Sequence, residues 1–261
     1  MKRRRFLQIA GLGIAGASSL PVARAIARAS ASEPAAEPAA PAPGRKRWAM
    51  VVDQKKCLAH GGCRECIDAC HRAHNVPTMQ DPRHAVKWIW KEEFGHVFPD
   101  LVTPYTAAAV KERPTMVLCN HCDNPPCVRV CPTQATWKRP DGIVMMDEHR
   151  CIGCRYCVAG CPYGSRSFNW KDPRAALGDQ QNNDYPTRTK GVVEKCTFCT
   201  ERLAVGKQPA CVEESQRVGC GALVFGDAGD PGSAVSALLR ESLVARRKPN
   251  LGTSPHVFYI L

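Results

Sequence analysis

The spacing of the cysteines constrains this chain of 261 residues more than any other feature of its sequence. Its 16 cysteines fall into four groups of four, and most neighbours within a group are separated by only two or three residues. The groups are Cys57, Cys63, Cys66, Cys70; Cys119, Cys122, Cys127, Cys131; Cys151, Cys154, Cys157, Cys161; and Cys196, Cys199, Cys211, Cys220. Thiols placed so closely can converge on metal, and metal–thiolate bonds then supply folding energy. We therefore expect the chain to fold poorly without metal.

The third group has the spacing C-x2-C-x2-C-x3-C and is followed by Pro162. This run is typical of [4Fe–4S] cubanes. The second group also ends in Cys-Pro, at Cys131-Pro132, and a proline disfavours helix at the residue before it, which fixes the chain direction there. Four groups predict four [4Fe–4S] clusters with all 16 cysteines as ligands. Several clusters in one small protein predict a path for electrons.

The first and fourth groups depart from the regular spacing. The first reads C-x5-C-x2-C-x3-C, and the fourth reads C-x2-C-x11-C-x8-C. In a C-x3-C step the last ligand follows three intervening residues, and after Cys211 that position is occupied by Ser215, so that Cys220 lies beyond it. We predict Cys220 as the ligand. The alternative is a cluster with one non-cysteine ligand or a missing iron.

Two other uses of clustered cysteines compete with the cubane interpretation. Disulfides are common in exported proteins with an even number of cysteines, but repeated two-residue gaps are unlike a disulfide framework. Zinc is also bound by C-x2-C pairs, although it takes cysteines two by two rather than as triplets with a distant fourth. A structural zinc-binding protein is thus an alternative, whereas no cysteine is left over as a catalytic nucleophile.

Several other residues are candidates for a role near the metal. His71 and His74 follow the first group, and we expect them to face solvent or an interface because four thiolates already suffice for ligation. His121 lies inside the second loop and could form a hydrogen bond with sulfur. Trp88 and Trp90 share one face of an expected strand, where core packing is the simpler role. No pair of acids and bases forms a catalytic constellation.

The first 25 residues have the composition of an export signal. A basic stretch precedes a mild apolar run of about fifteen residues, which is shorter than the roughly twenty that a membrane span needs. Arg3-Arg4-Arg5-Phe6-Leu7 is similar to the twin-arginine consensus, which predicts export to the periplasm, and the alternative is an ordinary secretory signal with additional arginines. Residues 26–47 are rich in Ala and Pro and predict a flexible linker. No later segment is apolar enough to span a bilayer, so contact with quinone would need a membrane partner.

The remaining chain predicts an α+β fold of tandem bacterial-ferredoxin-like modules, with short strands and helical turns around four [4Fe–4S] clusters. Residues 48–226 form the expected four-cluster domain, with an insertion at 77–114, and 227–261 form a C-terminal tail. Strands are expected before and after the groups. They lie at 48–53, 115–118, 135–138, 143–146, 166–170, 191–193 and 222–225. Helices are expected at 66–70, 105–111 and 233–246, and residues 171–190 read as a polar surface loop.

The motifs resemble a known family. The segments CNHCDNPPC at 119–127, CIGCRYC at 151–157 and EKCTFC at 194–199 are similar to four-cluster ferredoxin subunits of membrane oxidoreductases. The segments HRAHNVP at 71–77, WIW at 88–90 and CPYGSRSFNW at 161–170 most resemble the DsrO subunits of DsrMKJOP complexes of sulfur metabolism. The resemblance implies two kinds of partner, a quinone-reactive membrane subunit of the DsrP/NrfD type and a multihaem cytochrome c. The formal charge of +12 has no nucleic-acid motif beside it, so no nucleic acid is expected.

The resemblance also implies how the four groups share ligands, with the outer groups paired and the inner groups paired. The implied sets are Cys57, Cys63, Cys66, Cys220; Cys70, Cys196, Cys199, Cys211; Cys119, Cys122, Cys127, Cys161; and Cys131, Cys151, Cys154, Cys157. We call these the first, second, third and fourth thiol sets.

The predicted function is that of a periplasmic, non-catalytic electron-transfer subunit, held at the membrane by its partners in a DsrMKJOP-like complex. The alternative is the electron-transfer subunit of a molybdopterin oxidoreductase of the polysulfide, tetrathionate or dimethyl sulfoxide reductase type. The His-Asn-Val-Pro segment ending at Pro77 and the altered fourth group favour the first of these. A colourless protein would instead favour the zinc alternative.

Overall fold

The computed structural model describes residues 46–61 and 64–261. The expected signal at 1–25, all but the last two residues of the expected linker, and Cys63 lie outside the described residues.

The main sheet is built around a strand that is buried on both faces. This strand, β1 (Trp48–Asp53), confirms the strand expected there. Its side chains alternate between two cores, because Met50 and Val52 pack with the cysteine-rich core whereas Ala49 and Val51 pack with Val235. A strand covered on both faces needs apolar residues at successive positions, which the run Ala-Met-Val-Val supplies.

Four strands form this sheet, in the order β8, β1, β10, β9. β8 (Leu223–Asp227) pairs antiparallel with β1, and β10 (Val257–Ile260) pairs parallel with β1 and antiparallel with β9 (Val244–Ala245). Residues 227–261 therefore contribute two strands beside the first cysteine group, and Val257 and Tyr259 are fully buried.

The insertion at 77–114 packs into the core rather than on the surface. Its strand β2 (Ile89–Glu93) pairs antiparallel with β3 (Pro114–Leu118), with Ile89 opposite Leu118. Trp88 is fully buried and Trp90 is partly buried against the same core. Core packing of both tryptophans is thus confirmed.

The inner groups are connected by two short antiparallel ladders. β4 (Thr136–Lys138) pairs with β5 (Val144–Met146), and β6 (Ser167–Phe168) pairs with β7 (Val193–Glu194). The sequence Arg-Pro-Asp-Gly at 139–142 predicts a turn between β4 and β5, and the structure confirms it, because the Gly142 N–H donates to the carbonyl of Arg139. Gly142 has φ of +87°, and a side chain there would overlap the Arg47 guanidinium.

The helices of the described residues are short. They are α1 (Gln54–Ala59), α2 (Glu65–Ala73), α3 (Phe94–Val97), α4 (Ala108–Lys111), α5 (Pro126–Arg129), α6 (Tyr156–Ala159), α7 (Arg174–Leu177), α8 (Thr200–Ala204), α9 (Ala210–Arg217) and α10 (Ala234–Glu241). Four single 3₁₀ turns lie at Pro82–His84, Pro99–Leu101, Gly178–Gln180 and Pro249–Leu251. In the part of the chain that the structure describes, no helix has the length and apolar character needed to cross a bilayer.

Two helices are shorter than the sequence predicts. α4 covers only the end of the region expected at 105–111. α10 begins after Ser233, whose hydroxyl accepts the Ser236 N–H, and it ends at Glu241 because Ser242 has an extended backbone. That extended backbone leads into β9, so sheet pairing replaces the last helical turn. The described fold is α+β, as predicted.

Candidate metal centres

Fifteen cysteines lie within the described residues, and all of them are free thiols. None of these fifteen forms a disulfide, so the disulfide alternative finds no support in the described chain. Eleven of the fifteen are buried, and the four half-buried thiols are Cys131, Cys151, Cys154 and Cys161. Metal ligands are therefore available mostly away from water.

The thiols of the third set line one cavity. Cys119, Cys122, Cys127 and Cys161 lie around it, together with prolines and Val144. Burial raises the pKa of Cys122, and the neighbouring thiol of Cys119 raises it further. Burial also raises the pKa of Cys161, again with Cys119 adding to the shift. Thiols that face one another in this way ionise readily only when a cation lies among them.

The thiols of the second set line another cavity. Cys70, Cys196, Cys199 and Cys211 lie around it, beside apolar groups such as Phe198. Burial raises the pKa of Cys196 to about 12. Burial and the thiol of Cys211 raise the pKa of Cys70 well above its usual range. These four residues come from α2, α9 and the loop before α8, so distant segments must fold together to form the cavity.

The first set is described without Cys63. Cys57, Cys66 and Cys220 are all buried in the same core. Burial raises the pKa of Cys57, and the next contribution comes from the thiol of Cys220, which places these two side chains close together. The Cys220 thiol lies 3.8 Å from the carbonyl of Lys56.

Ser215, which occupies the usual ligand position, makes other contacts. Its hydroxyl accepts hydrogen bonds from the N–H groups of Ala222 at 3.0 Å and Leu223 at 3.3 Å. The side chain is fully buried and holds the chain that leads from Cys220 into β8. The serine therefore has a structural role at the place where sequence spacing would put a thiolate.

Cys220 and Ser215 give a matched pair of variants. We expect Cys220→Ala to lose about four irons, the content of one cubane. We expect Ser215→Ala to keep its iron but to lower the free energy of unfolding by about 1–3 kcal/mol, because two buried N–H groups lose their acceptor. Iron analysis and denaturation of the two purified variants check both outcomes. Full iron in Cys220→Ala would contradict the assignment.

The fourth set lies nearest the solvent. Cys151 and Cys154 are half-buried, and Cys157 is buried among Cys127, Val144 and Val193. Burial raises the pKa of Cys157, whereas the Arg166 guanidinium opposes that shift. Burial also tends to raise the pKa of Cys131, but backbone N–H groups such as that of Thr136 outweigh it and lower the value overall.

Backbone N–H groups point at several sulfurs. The Val193 N–H lies 3.4 Å from the sulfur of Cys151, and the Phe198 N–H lies 3.4 Å from that of Cys196. In three Cys-x2-Cys loops, the second of the two residues between the cysteines has a left-handed backbone conformation, which bends the loop. The φ values are +43° at His121, +70° at Gly153 and +55° at Phe198. Such N–H groups are the hydrogen-bond donors that iron–sulfur sulfurs use.

Two of these loops touch through their side chains. The His121 ring stacks on the Phe198 ring, with centroids 3.7 Å apart. The Val144 N–H donates to Nδ1 of His121 at 3.1 Å, so this nitrogen accepts and is bound to backbone rather than to sulfur. The second and third thiol sets are therefore neighbours.

The prediction that His74 faces solvent or an interface is wrong. Its ring is fully buried, stacked on Trp88 at 4.8 Å and perpendicular to Tyr185 at 4.8 Å. Nδ1 lies 2.8 Å from the carbonyl of Cys70, and Nε2 lies 2.9 Å from the carboxylate of Glu201. No local sequence pattern signals this, because the partners come from the insertion and from residues more than a hundred positions away.

The segment 171–190, expected as a polar surface loop, also contributes a buried residue. Arg188 is buried, and its guanidinium pairs with the fully buried Glu194 at 2.6 Å. Glu194 also accepts from Trp88 Nε1 at 2.8 Å and from Asn169 Nδ2 at 2.6 Å. The network fixes the strand that delivers the fourth group.

The donor sets fit iron–sulfur clusters. In each of the two cavities, the converging ligand atoms are four thiols from two groups, which is the donor chemistry of a cubane. The remaining walls of the second-set cavity are mainly apolar, whereas polar side chains such as His121 and Arg166 also line the third-set cavity.

Comparison with known proteins agrees with this donor chemistry. Residues 113–177 match the family described as "4Fe-4S dicluster domain". The chain is 44% identical to the Hdr-like menaquinol oxidoreductase iron-sulfur subunit 1 of Archaeoglobus fulgidus, over 99% of this chain and 97% of the relative. It is 38% identical to a tetrathionate reductase subunit of Salmonella typhimurium, over 99% and 87%. It is 36% identical to the menaquinone reductase iron-sulfur cluster-binding subunit of Nitratidesulfovibrio vulgaris, over 82% and 88%. Iron–sulfur chemistry therefore suits the thiols better than zinc.

Proposed function

The chain belongs to the family of DsrO/NrfC-type ferredoxin subunits, and on this premise we propose that it binds four [4Fe–4S] clusters and relays electrons within an oxidoreductase complex. The clusters, when bound, each take up and release one electron. The protein supplies the thiolates, the hydrogen bonds to sulfur and the exclusion of water. Tandem ferredoxin-like modules, one for each pair of groups, are part of the proposal.

The observation that carries the proposal is the sharing of thiols between groups. Cys161 of the third group completes a cavity with three thiols of the second group. Cys70 of the first group completes a cavity with three thiols of the fourth. Such sharing ties two groups into one unit, so that neighbouring clusters lie close together.

Paired variants test which thiols bind the same cluster. We expect Cys161→Ala and Cys119→Ala to remove the same electron paramagnetic resonance signal, and Cys131→Ala and Cys151→Ala to remove a different one. The reason is that thiols of one set hold one cluster, whatever their order in the chain. The measurement is the spectrum of each anaerobically reduced variant. If Cys161→Ala instead lost the signal that Cys151→Ala lacks, the shared arrangement would be contradicted.

We further propose that the electrons pass to or from a quinone-reactive membrane subunit of the DsrP/NrfD type. Two relatives belong by name to a menaquinol oxidoreductase and to a menaquinone reductase, which supports a quinone-linked complex. A DsrMKJOP-like complex of sulfur metabolism, with a multihaem cytochrome c as a second redox partner, is the specific form that we propose. Identification of the subunits that co-purify with the native protein tests it.

A second candidate is supported by the similarity to the tetrathionate reductase subunit over 99% of this chain. In that case the protein would serve a molybdopterin oxidoreductase. Co-purification of a large molybdopterin subunit would favour the second candidate. Co-purification of a membrane subunit and a multihaem cytochrome without a molybdopterin subunit would favour the first.

We propose that the protein is periplasmic and is exported by the twin-arginine route, which carries folded proteins with their cofactors. The support is the Arg-Arg-Arg-Phe-Leu run at 3–7. We expect the double variant Arg3→Lys, Arg4→Lys to accumulate in the cytoplasm with its iron bound. Fractionation followed by immunoblotting checks this, with Lys2→Arg as the control. Periplasmic protein at the normal level in the double variant would contradict this route.

A further inference from the structure

Arg166 is a buried cation without a carboxylate partner. Its side chain is 4% exposed. The guanidinium donates to the sulfur of Cys127 at 3.2 Å, to the hydroxyl of Thr136 at 2.7 Å and to the sulfur of Met146 at 3.6 Å. Within residues 46–61 and 64–261, no carboxylate lies within ion-pair distance of it.

Lys195 is a second cation of this kind. It is 1% exposed, and its ammonium donates only to backbone, to the carbonyl of Cys196 at 2.6 Å and to the carbonyl of Val144. The described chain again offers no carboxylate partner. Both groups therefore carry positive charge into the interior of the protein.

Two other buried cations of the described residues are neutralised locally. Arg188 pairs with Glu194, and Arg47 lies 3.1 Å from the carboxylate of Asp123. Burying an unpaired charge is strongly unfavourable, whereas a buried charge with a counter-ion is tolerated. The negative charge that balances Arg166 and Lys195 must come from another source.

Thiolate-bound clusters supply such charge. Four thiolates around an oxidised cubane leave a net charge of about −2, and reduction makes it more negative. Burial by itself would lower the pKa of Arg166, but the thiols of Cys127 and Cys157 act against burial and raise the pKa overall. Arg166 is thus placed to respond to the charge of two different sets.

The two cations lie between successive thiol sets. Arg166 touches Cys127 of the third set and stands near Cys157 of the fourth. Lys195 precedes Cys196 of the second set and bonds to Val144, which lines the cavity of the third set. Both cations are therefore adjacent to the third set.

We infer that Arg166 and Lys195 are shared counter-ions that raise the reduction potentials of the clusters on either side, Arg166 for the third and fourth sets and Lys195 for the second and third. This inference rests on the proposed function, since it needs clusters in those sets. Each cation stabilises the reduced cluster, which carries one more negative charge, more than it stabilises the oxidised cluster. The potential of the third set is raised by both.

Potentiometric titration of the anaerobic full-length protein, followed by electron paramagnetic resonance, tests the inference. We expect Arg166→Gln to keep its iron and to lower two of the cluster potentials. Each shift is expected to be about tenfold in the reduction equilibrium, which corresponds to 59 mV for one electron. Lys195→Gln is expected to lower two cluster potentials by a similar amount. One of them, that of the third set, is also lowered in Arg166→Gln.

Two controls separate charge from shape and from surface effects. Arg166→Lys keeps the charge and is expected to keep the potentials near those of the natural protein. Arg155→Gln removes an exposed cation that lies over the Phe168 and Trp170 rings near the fourth set, and solvent screening predicts little change. Loss of iron in Arg166→Gln with full iron in Arg166→Lys would also support the need for charge.

Unchanged potentials in Arg166→Gln and Lys195→Gln, with full iron in both, would overturn the inference while leaving the proposed function intact. Loss of iron in both Arg166→Gln and Arg166→Lys would overturn the role of Arg166 as a charge. Absence of clusters from the natural protein would instead overturn the proposed function.

Discussion

Removal of iron is expected to abolish the cooperative folding of the protein. Seven cysteines belong to the main core: Cys57, Cys66, Cys70, Cys119, Cys196, Cys211 and Cys220. Four of these seven, Cys70, Cys119, Cys196 and Cys211, line the two cavities in which the thiols of one set face one another. Apart from the four-stranded main sheet, the described segments are short helices and two-stranded ladders, which are marginal on their own. Metal binding and folding are therefore coupled.

The measurement is thermal unfolding, followed by near-ultraviolet circular dichroism, before and after reductive chelation of iron. We expect the natural protein to show a cooperative transition and the chelated protein to show none. Reconstitution with iron and sulfide is expected to restore the transition, which controls for damage by the chelator. A native-like spectrum and a full transition in iron-free protein would contradict this expectation.

Glu194→Ala is expected to lower the free energy of unfolding by about 3–5 kcal/mol, the usual cost of leaving one partner of a buried ion pair alone. Glu194 and Arg188 are 0% and 3% exposed, so the guanidinium would keep no counter-ion and little water. Trp88 Nε1 and Asn169 Nδ2 would lose their acceptor as well. The effect is on stability rather than on ligation, because Glu194 accepts hydrogen bonds from side-chain nitrogens rather than contacting sulfur.

Glu213→Ala is the matched control for Glu194→Ala. Glu213 also pairs with an arginine, Arg202, but its side chain is 49% exposed. Exposed pairs contribute about 0–1 kcal/mol, so a small change is expected. Denaturant unfolding of both variants, with iron content measured in each, makes the comparison. Equal loss of stability in the two variants would contradict the claim that the buried ion pair contributes more to stability than the exposed pair.

Much of the local structure could be predicted from the sequence. The strand at 48–53 and the turn around Gly142 follow from an apolar run and from turn residues, and the structure confirms both. The Trp88 and Trp90 positions in the core follow from their alternation. These features depend on neighbours in the chain, which a single sequence displays.

The features that sequence analysis missed depend on contacts between distant segments. β10 lies parallel to β1 although about two hundred residues separate them, and no local pattern specifies that pairing. His74 is buried only because Trp88 and Tyr185 cover it. Arg188 lies in a polar segment that looks like surface until its partner Glu194 is known.

The candidate ligands show the same division. The groups are plain in the sequence, but the position of Cys220 is not decided by its spacing. The burial of Cys220 in the same core as Cys57 and the structural role of Ser215 support Cys220 as the ligand where its spacing does not. The positions of Lys195 and Arg166 beside two thiol sets could not be predicted from the sequence, because these contacts form only in the folded chain.

The iron content of the anaerobically isolated protein tests the central claim most directly. Iron and acid-labile sulfide analysis, with spin quantification of the reduced protein, is the measurement. Four complete cubanes predict about sixteen irons per chain and four one-electron reductions. About eight irons or fewer per chain, even after reconstitution with iron and sulfide, would contradict the account.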